Sequence, residues 1–135
     1  RLHIENISPA DLKPSPNNPR RHTQRQIEML VRNIMEHGFL VPALITDDNE
    51  IIAGEARWRA AIQLGLTSIP VIRISHLTPA QIRAFRIADN RLSEKAEWDM
   101  EILVRELNFL AKFDISFDFE AIGFETAEVD LLLEG

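Results

Sequence analysis

Residues 51–60 read I-I-A-G-E-A-R-W-R-A: three apolar residues, a glycine, then a glutamate and two arginines around a tryptophan. The apolar triplet reads as a buried strand. The residues after Gly54 read as a helix over 55–64, stopped by Gly65. A glycine between strand and helix lets a ligand approach the backbone closely. The helix start behind it offers unpaired N–H groups and a partial positive charge, which together favour phosphate. Wound at about 100° per residue, Trp58, Ala60, Ala61 and Leu64 share one arc. Arg57 falls inside that arc, while Arg59 sits nearer the polar side. A charge on the apolar side is costly unless paired. Arg57 therefore either faces an anion or pairs with Glu55 or another acid to hold the helix, and the residues alone leave both readings open.

Working outward, 41–46 reads as a strand, D-D-N-E as a turn, and 51–53 as the strand that pairs across it. Residues 24–37 place Ile27, Leu30, Val31, Ile34 and Met35 at helical spacing, with Gly38 as the stop. A short strand is expected within 2–7 and another over 69–74. The stretch 8–22 is a proline- and asparagine-rich loop. Thr78-Pro79-Ala80-Gln81 is a helix start, with a capping threonine, proline at the first position and glutamine closing the box. That helix runs to about Leu92. It carries a stripe of Ile82, Phe85 and Leu92, with Asp89 inside it. A carboxylate on a core-facing stripe needs a cation. A buried Asp–Arg pair is the favoured reading, and a Mg²⁺ held by Asp89 and Asn90 through oxygen ligands is the sharper one. Residues 99–112 form an acidic amphipathic helix, 113–124 an irregular apolar stretch, and 126–133 a last short helix.

The 135 residues suffice for one domain with a real core, and 45% hydrophobic with 27% charged residues describes a globular chain. No apolar run approaches the roughly 20 residues of a membrane span, and no signal-peptide pattern opens the chain. The first residue is Arg1, which leads us to expect a piece of a longer protein. With no cysteine, disulfides, thiolate zinc sites and cysteine catalysis are excluded. A cytoplasmic location is expected, and no membrane partner. The net charge of -6 hides an asymmetry. Residues 1–91 carry 12 basic and 9 acidic side chains, net +3, whereas 92–135 carry 3 and 12, net -9. Arginine outnumbers lysine 12 to 3, which suits fixed, bidentate phosphate recognition. Any phosphate contact belongs to the first two-thirds, because the acidic end repels nucleic acid.

The loop N-N-P-R-R-H (17–22) offers Asn17, Asn18, Arg20, Arg21 and His22, of which Asn18, Arg20 and Arg21 are the candidate phosphate ligands, although most such stretches are solvated loops. Histidines 3, 22, 37 and 76 show no ligand spacing. The Walker, Rossmann and nucleophile-elbow signatures are absent.

In order, N-P-R-R-H (18–22), H-G-F-L-V-P-A-L-I (37–45), I-A-G-E-A-R-W-R-A-A (52–61) and D-N-R-L (89–92) resemble the N-terminal domain of the ParB family, in the ParB/sulfiredoxin-like superfamily. The resemblance covers about 2–92. It implies a mixed α+β domain: a small mixed sheet with flanking helices around a nucleotide-phosphate site, followed here by an acidic helical extension over 93–135. It implies a nucleoside triphosphate, CTP or ATP, with Mg²⁺. Gly54, Glu55, Arg57 and Arg59 would line the triphosphate and Arg20 would reach it from the loop. Asp89 and Asn90 match the start of the family's E-N-x-x-R element, which helps hold phosphate and metal. Four departures stand out. Ala56 replaces the third residue of G-E-R-R, Val41-Pro42 replaces Q-P of the nucleotide-base region, Asp89 replaces glutamate, and Ser93 replaces the last arginine of its element. Sulfinic-acid reduction is excluded without the superfamily's cysteine. The segment after 92 does not resemble the helix-turn-helix domain that follows in ParB. D-N-R-L-S-E-K-A-E-W-D and A-I-G-F-E-T-A-E-V-D-L-L-L resemble the segment ahead of DNA methyltransferase domains in phage and mobile-element proteins.

The expected function is thus a nucleotide-binding regulatory module of a bacterial or phage-encoded, nucleoid-associated protein, expected to be the N-terminal part of a DNA methyltransferase, with a homodimer among its expected forms and DNA reached through the full-length protein. The alternatives are an enzyme (a nucleotide hydrolase, phosphotransferase or nuclease with Glu55 as general base) and a degenerate scaffold in which Arg57 is locked on Asp89 or Glu55.

Overall fold

A computed structural model describes residues 1–134; Gly135, the last residue of the expected extension, lies outside the described residues. The elements are β1 (Ile4–Ile7), a 3₁₀ turn at Pro9–Asp11, α1 (Gln24–His37), β2 (Ala43–Ile45), β3 (Ile51–Ala53), α2 (Glu55–Leu64) and β4 (Ile69–Arg73). They are followed by α3 (Pro79–Lys95), α4 (Met100–Phe113), a 3₁₀ turn at Phe119–Ile122 and α5 (Thr126–Glu134). The sheet runs β1-β4-β2-β3. β1 pairs antiparallel with β4, β4 parallel with β2, and β2 antiparallel with β3. The mixed α+β class read from the sequence is the class observed.

Ile45, Ile69 and Val71 from the two inner strands are fully buried, and with Leu12, Ala43, Ile51 and Ala61 they form the sheet core. Trp58 packs against that cluster and its indole N–H donates to the Pro9 carbonyl at 2.8 Å, pinning the start of the long loop. The other side of α2 meets α1 through Ala60, Ile27 and Ile34. Alanines at 60 and 61 let the helix lie close to both layers. The capping boxes at Thr23/Gln26 and Thr78/Gln81 fix where α1 and α3 begin.

One sequence expectation is reversed. On α3, Phe85, Asp89 and Leu92 are exposed, so the stripe they share with Ile82 is not a core face. The buried residue of α3 is Arg86, 4% exposed. Its Nε donates to the Ile52 carbonyl at 3.2 Å and its Nη2 to the Ile51 carbonyl at 3.1 Å. β3 ends the sheet and has carbonyls that need donors, so a guanidinium serves this contact where an apolar side chain would leave them unsatisfied. Asp89, facing outward, needs no buried cation. α3 also continues to Lys95, so the charge boundary at 92 falls inside a helix rather than between elements.

α4 and α5 share a separate cluster of Leu103, Leu107, Phe124 and Val129. Their connecting turn returns to α1. Arg25 pairs with Glu120 and, at 2.8 Å, with Glu125. Arg32 pairs with Glu120 at 2.8 Å and Asp118 at 3.3 Å. Part of the acidic surplus therefore neutralises α1. Among the described residues, no helix is long and apolar enough to cross a membrane.

Candidate phosphate-binding site

Gly54 leaves β3 with φ +101°, in the left-handed region, and acts as the N-cap of α2. A Cβ there would lie 3.2 Å from both Cα and Cβ of Ala43. Both the conformation and the close approach require glycine. A glycine cap has no side chain to accept from the first-turn N–H groups. The first bond of the helix is Trp58 N–H to the Gly54 carbonyl, at 3.0 Å.

A charged cavity of about 140 Å³ opens at this helix start. Three segments line it: Asn18, Arg20 and His22 from the loop, 52–57 from the strand-to-helix turn, and Arg86, Asp89 and Asn90 from α3. The loop and α3 are tied together. Arg20 Nε donates to Asn90 Oδ1 at 2.7 Å, and its Nη2 donates to Glu94 Oε1 at 3.1 Å. Asn90 Nδ2 donates to the Arg86 carbonyl at 2.8 Å, and Asn18 Oδ1 accepts from the Arg20 amide at 3.0 Å. A second cavity of about 510 Å³ shares Arg20, His22, Ala56 and Arg57 with the first and continues between α1 and residues 121–123.

Five arginines are not exposed among the described residues: Arg20, Arg25, Arg57, Arg73 and Arg86. Four of them have ion-pair or hydrogen-bond partners: Arg20 on α3, Arg25 on Glu120 and Glu125, Arg73 on Glu5 and loop carbonyls, and Arg86 on β3. Arg57 has none among the described residues, and it lines both cavities. Neither Glu55 nor Asp89 holds it. Glu55 Oε2 instead accepts from Arg59 at 3.2 and 3.3 Å, and the Arg59 guanidinium lies 5.8 Å from the Trp58 ring centroid.

Of the residues singled out in the sequence, Asn18, Arg20, Gly54, Glu55, Arg57, Asp89 and Asn90 come together at the charged cavity. Arg59 and Arg21 do not line it. Arg59 is exposed on the polar side of α2 against Glu55, and Arg21 faces a different depression with Ile87, Arg91 and Glu94. One charged wall residue, Arg86, escaped the sequence reading, whereas His22 is among those the loop offers. Arg86 was detectable from its i, i+4 spacing to Ile82 and Asn90, a row that a stripe drawn on apolar residues alone passes over. His22 ends the N-N-P-R-R-H loop. Burial pushes its pKa below the ordinary imidazole value, with Arg20 and Arg59 acting in the same direction and Glu55 and Gln26 opposing them.

Among the described residues, no three His, Cys, Asp or Glu groups converge on a metal position. Both ends of the Asn90 amide are occupied by Arg20 and the Arg86 carbonyl, which fits poorly with Asn90 as a metal ligand. The Asp89 carboxylate lines the cavity without a side-chain partner among the described residues. One carboxylate plus phosphate oxygens is a donor set that suits Mg²⁺.

The family described as the ParB N-terminal domain matches residues 1–91. Stage 0 sporulation protein J of Bacillus subtilis (strain 168) is 34% identical over 91 residues, 64% of this chain and 32% of that protein. The ParB-like nuclease domain-containing protein YnaK of Escherichia coli (strain K12) is 42% identical over 71 residues, 53% of this chain and 82% of that protein. The chain thus spans about a third of the Bacillus protein's length and most of YnaK's. A crystal structure of the C-terminally truncated chromosome-partitioning protein ParB from Caulobacter crescentus, complexed with CTP-gamma-S, superposes with a TM-score of 0.78 at 26% identity. That match covers 97% of this chain and 77% of the other, so the structural likeness continues past residue 92 into the acidic extension.

Proposed function

Because the chain belongs to the ParB N-terminal domain family, we propose that it is a nucleotide-binding module whose charged cavity holds the phosphates of a nucleoside triphosphate. The observation that carries this reading is Arg57, half-buried and without an acid, beside the uncapped start of α2. A half-buried guanidinium without a counter-charge is unfavourable unless an anion completes it. Helix amides and arginine together supply charge-assisted bonds to phosphate. The Caulobacter ParB that this chain resembles is complexed with CTP-gamma-S, which favours CTP over ATP as the ligand.

In this reading the bound phosphates lie against the amides of 55–57. Arg57 neutralises them from one side, while Arg20 and Asn18 do so from the loop. Asp89 would hold a Mg²⁺, which would supply charge neutralisation for the phosphates. Residues 1–92 are the binding core and 93–135 the acidic extension. Regulation by nucleotide, contact with DNA through the full-length protein, and a methyltransferase domain beyond Gly135 are further parts of the proposal. An N-P-P-Y or D-P-P-Y motif downstream in the gene would support the last of these, and its absence would refute it. Glu55 as a general base is the weaker reading, because its carboxylate is engaged by Arg59.

Titration of the 135-residue chain with CTP, ATP and GTP in Mg²⁺ tests the central reading. CTP should bind saturably, and Arg57→Ala should weaken it strongly. The absence of binding at millimolar nucleotide, or equal binding by Arg57→Ala, would contradict it.

A further inference from the structure

Away from the phosphate site, a groove of about 530 Å³ runs between the start of α4 and α5. Its size falls within the roughly 300–1,000 Å³ of clefts that hold ligands. The apolar lining comes from Trp98, Met100 and Leu103 on one side and from Phe124, Leu131 and Leu132 on the other. Trp98 is 65% exposed and Leu131 74%. Beneath them the floor is fixed. Leu103 and Phe124 belong to the buried cluster of the extension, and the Trp98 ring stands 6.0 Å from that of Phe124. Large apolar side chains held in place yet open to water mark an interaction surface. We infer that this groove docks a basic amphipathic helix of a partner protein, with the helix's apolar face inward.

Charge selects that occupant. Residues 92–135 carry net -9. Glu125 and Glu128 line the groove, and Glu97, Asp99 and Glu101 flank Trp98 and Met100 in the chain. Of these acids only Glu125 has an ion-pair partner among the described residues. Lysines and arginines beside a partner's apolar stripe would supply the counter-charge. A second copy meeting groove to groove would set negative against negative, and an anionic lipid or nucleic-acid surface would be repelled as well.

Backbone chemistry makes the occupant a helix. Helices border the groove, with their N–H and C=O groups bonded internally, and no strand of the sheet lines it. An extended peptide would find no sheet edge to join, so its own amides would lose water without gaining partners. A helix satisfies its backbone itself and presents anchors at i, i+3 or i+4, and i+7. The nine residues of α5 span about 13 Å, room for two to three turns of a partner. The groove shares no lining residue with either cavity at the start of α2, so the inference stands independently of the phosphate reading.

The test is a fluorescence titration of the 135-residue chain with a Leu/Lys peptide of about 18 residues, leucines at i, i+3, i+4 and i+7, long enough to be helical. A peptide of the same composition with its leucines scattered is the comparison. The patterned peptide should bind about tenfold more tightly and blue-shift the emission, and Trp98→Phe should abolish the shift. Leu131→Gln should weaken binding about fivefold or more, as loss of an anchor does. Phe109→Gln, which removes an exposed apolar side chain outside the groove, should leave it within about twofold. Glu128→Gln should weaken it about two- to threefold, the scale of an exposed ion pair. No binding, equal affinity for the two peptides, or equal losses in Leu131→Gln and Phe109→Gln would overturn the inference. A dimer of the chain alone that Leu131→Gln dissociates in sedimentation would give the groove to a second copy. Binding to anionic vesicles that Leu131→Gln abolishes would give it to lipid. Either result would likewise overturn the inference.

Discussion

Arg25 on α1 and Arg57 on α2 are both part-buried, on helices that pack against each other, yet they end in opposite electrostatic states. Arg25 meets Glu120 and Glu125, contributed by a segment about a hundred residues further along the chain. The contact depresses the Glu125 carboxyl below its usual range and raises the Arg25 guanidinium further. Arg57 meets no acid among the described residues. The α1 face is a closed ionic contact that ties the extension to the sheet domain. The start of α2 is left open, with a fixed cation and helix amides around a small cavity. Residue type alone does not tell a structural arginine from a binding one; the presence or absence of an acid within reach does.

The sharpest way to break this comparison is to exchange the two arginines' consequences. Arg57→Ala should reduce Mg²⁺–CTP affinity by about tenfold to more than a hundredfold, because each charge-assisted hydrogen bond contributes ~1.5–3 kcal/mol. Its melting temperature should hold or rise, since no native pair is broken. Arg25→Ala should behave the other way, loosening 118–125 in hydrogen exchange while the amides of β3 and α2 stay protected. If Arg57→Ala instead unfolds the protein, that arginine is structural and the contrast collapses.

A second handle is Arg86, the cation that the fold itself needs. Arg86→Met removes both donors to β3 and should cost about 2–4 kcal/mol in chemical denaturation, as expected for two buried carbonyls left without partners. Gly54→Ala should cost less, about 1–3 kcal/mol, from the left-handed conformation and the close contact with Ala43. Stability at the wild-type level in either variant would mean that the turn adapts more readily than its geometry indicates.

The smallest effect concerns pH. The His22 pKa is lowered in the folded protein, chiefly by burial. Its contribution is complete above the unfolded value of about 6.5 and is lost as pH falls through the lowered folded value. Wild type should therefore lose stability as pH falls below about 6.5 by more than His22→Gln does. A bound polyphosphate would oppose this by favouring the protonated ring, so the difference should shrink with ligand present. Parallel pH profiles for the two proteins would remove His22 from the site.

Much of this is legible in the sequence, where local rules decide. The Gly54 turn, the span of α1, the capped start of α3, the hairpin and the placement of Arg57 on the inner side of α2 all follow from spacing within a dozen residues. What is not legible depends on partners far apart in the chain. Arg86 is buried because β3 ends the sheet and offers carbonyls, a fact set by strand order. Glu120 and Glu125 read as surplus acid until the return of the turn to α1 gives them Arg25 and Arg32. The family resemblance sets Arg59 beside Arg57 on the triphosphate, yet Arg59 is held by Glu55 one turn earlier, a pairing that spacing permits but does not dictate. Asp89 misled because an apolar stripe was taken to define the inner face of α3, and that face is set by a cation.

The most direct measurement is an amide NMR titration of the ¹⁵N-labelled 135-residue chain with Mg²⁺–CTP. The account predicts that the largest shifts fall at 54–57, where the helix start meets phosphate. An unchanged spectrum at saturating nucleotide, or shifts confined to the other arginine-lined surface near Arg1, Arg73 and His76, would contradict it.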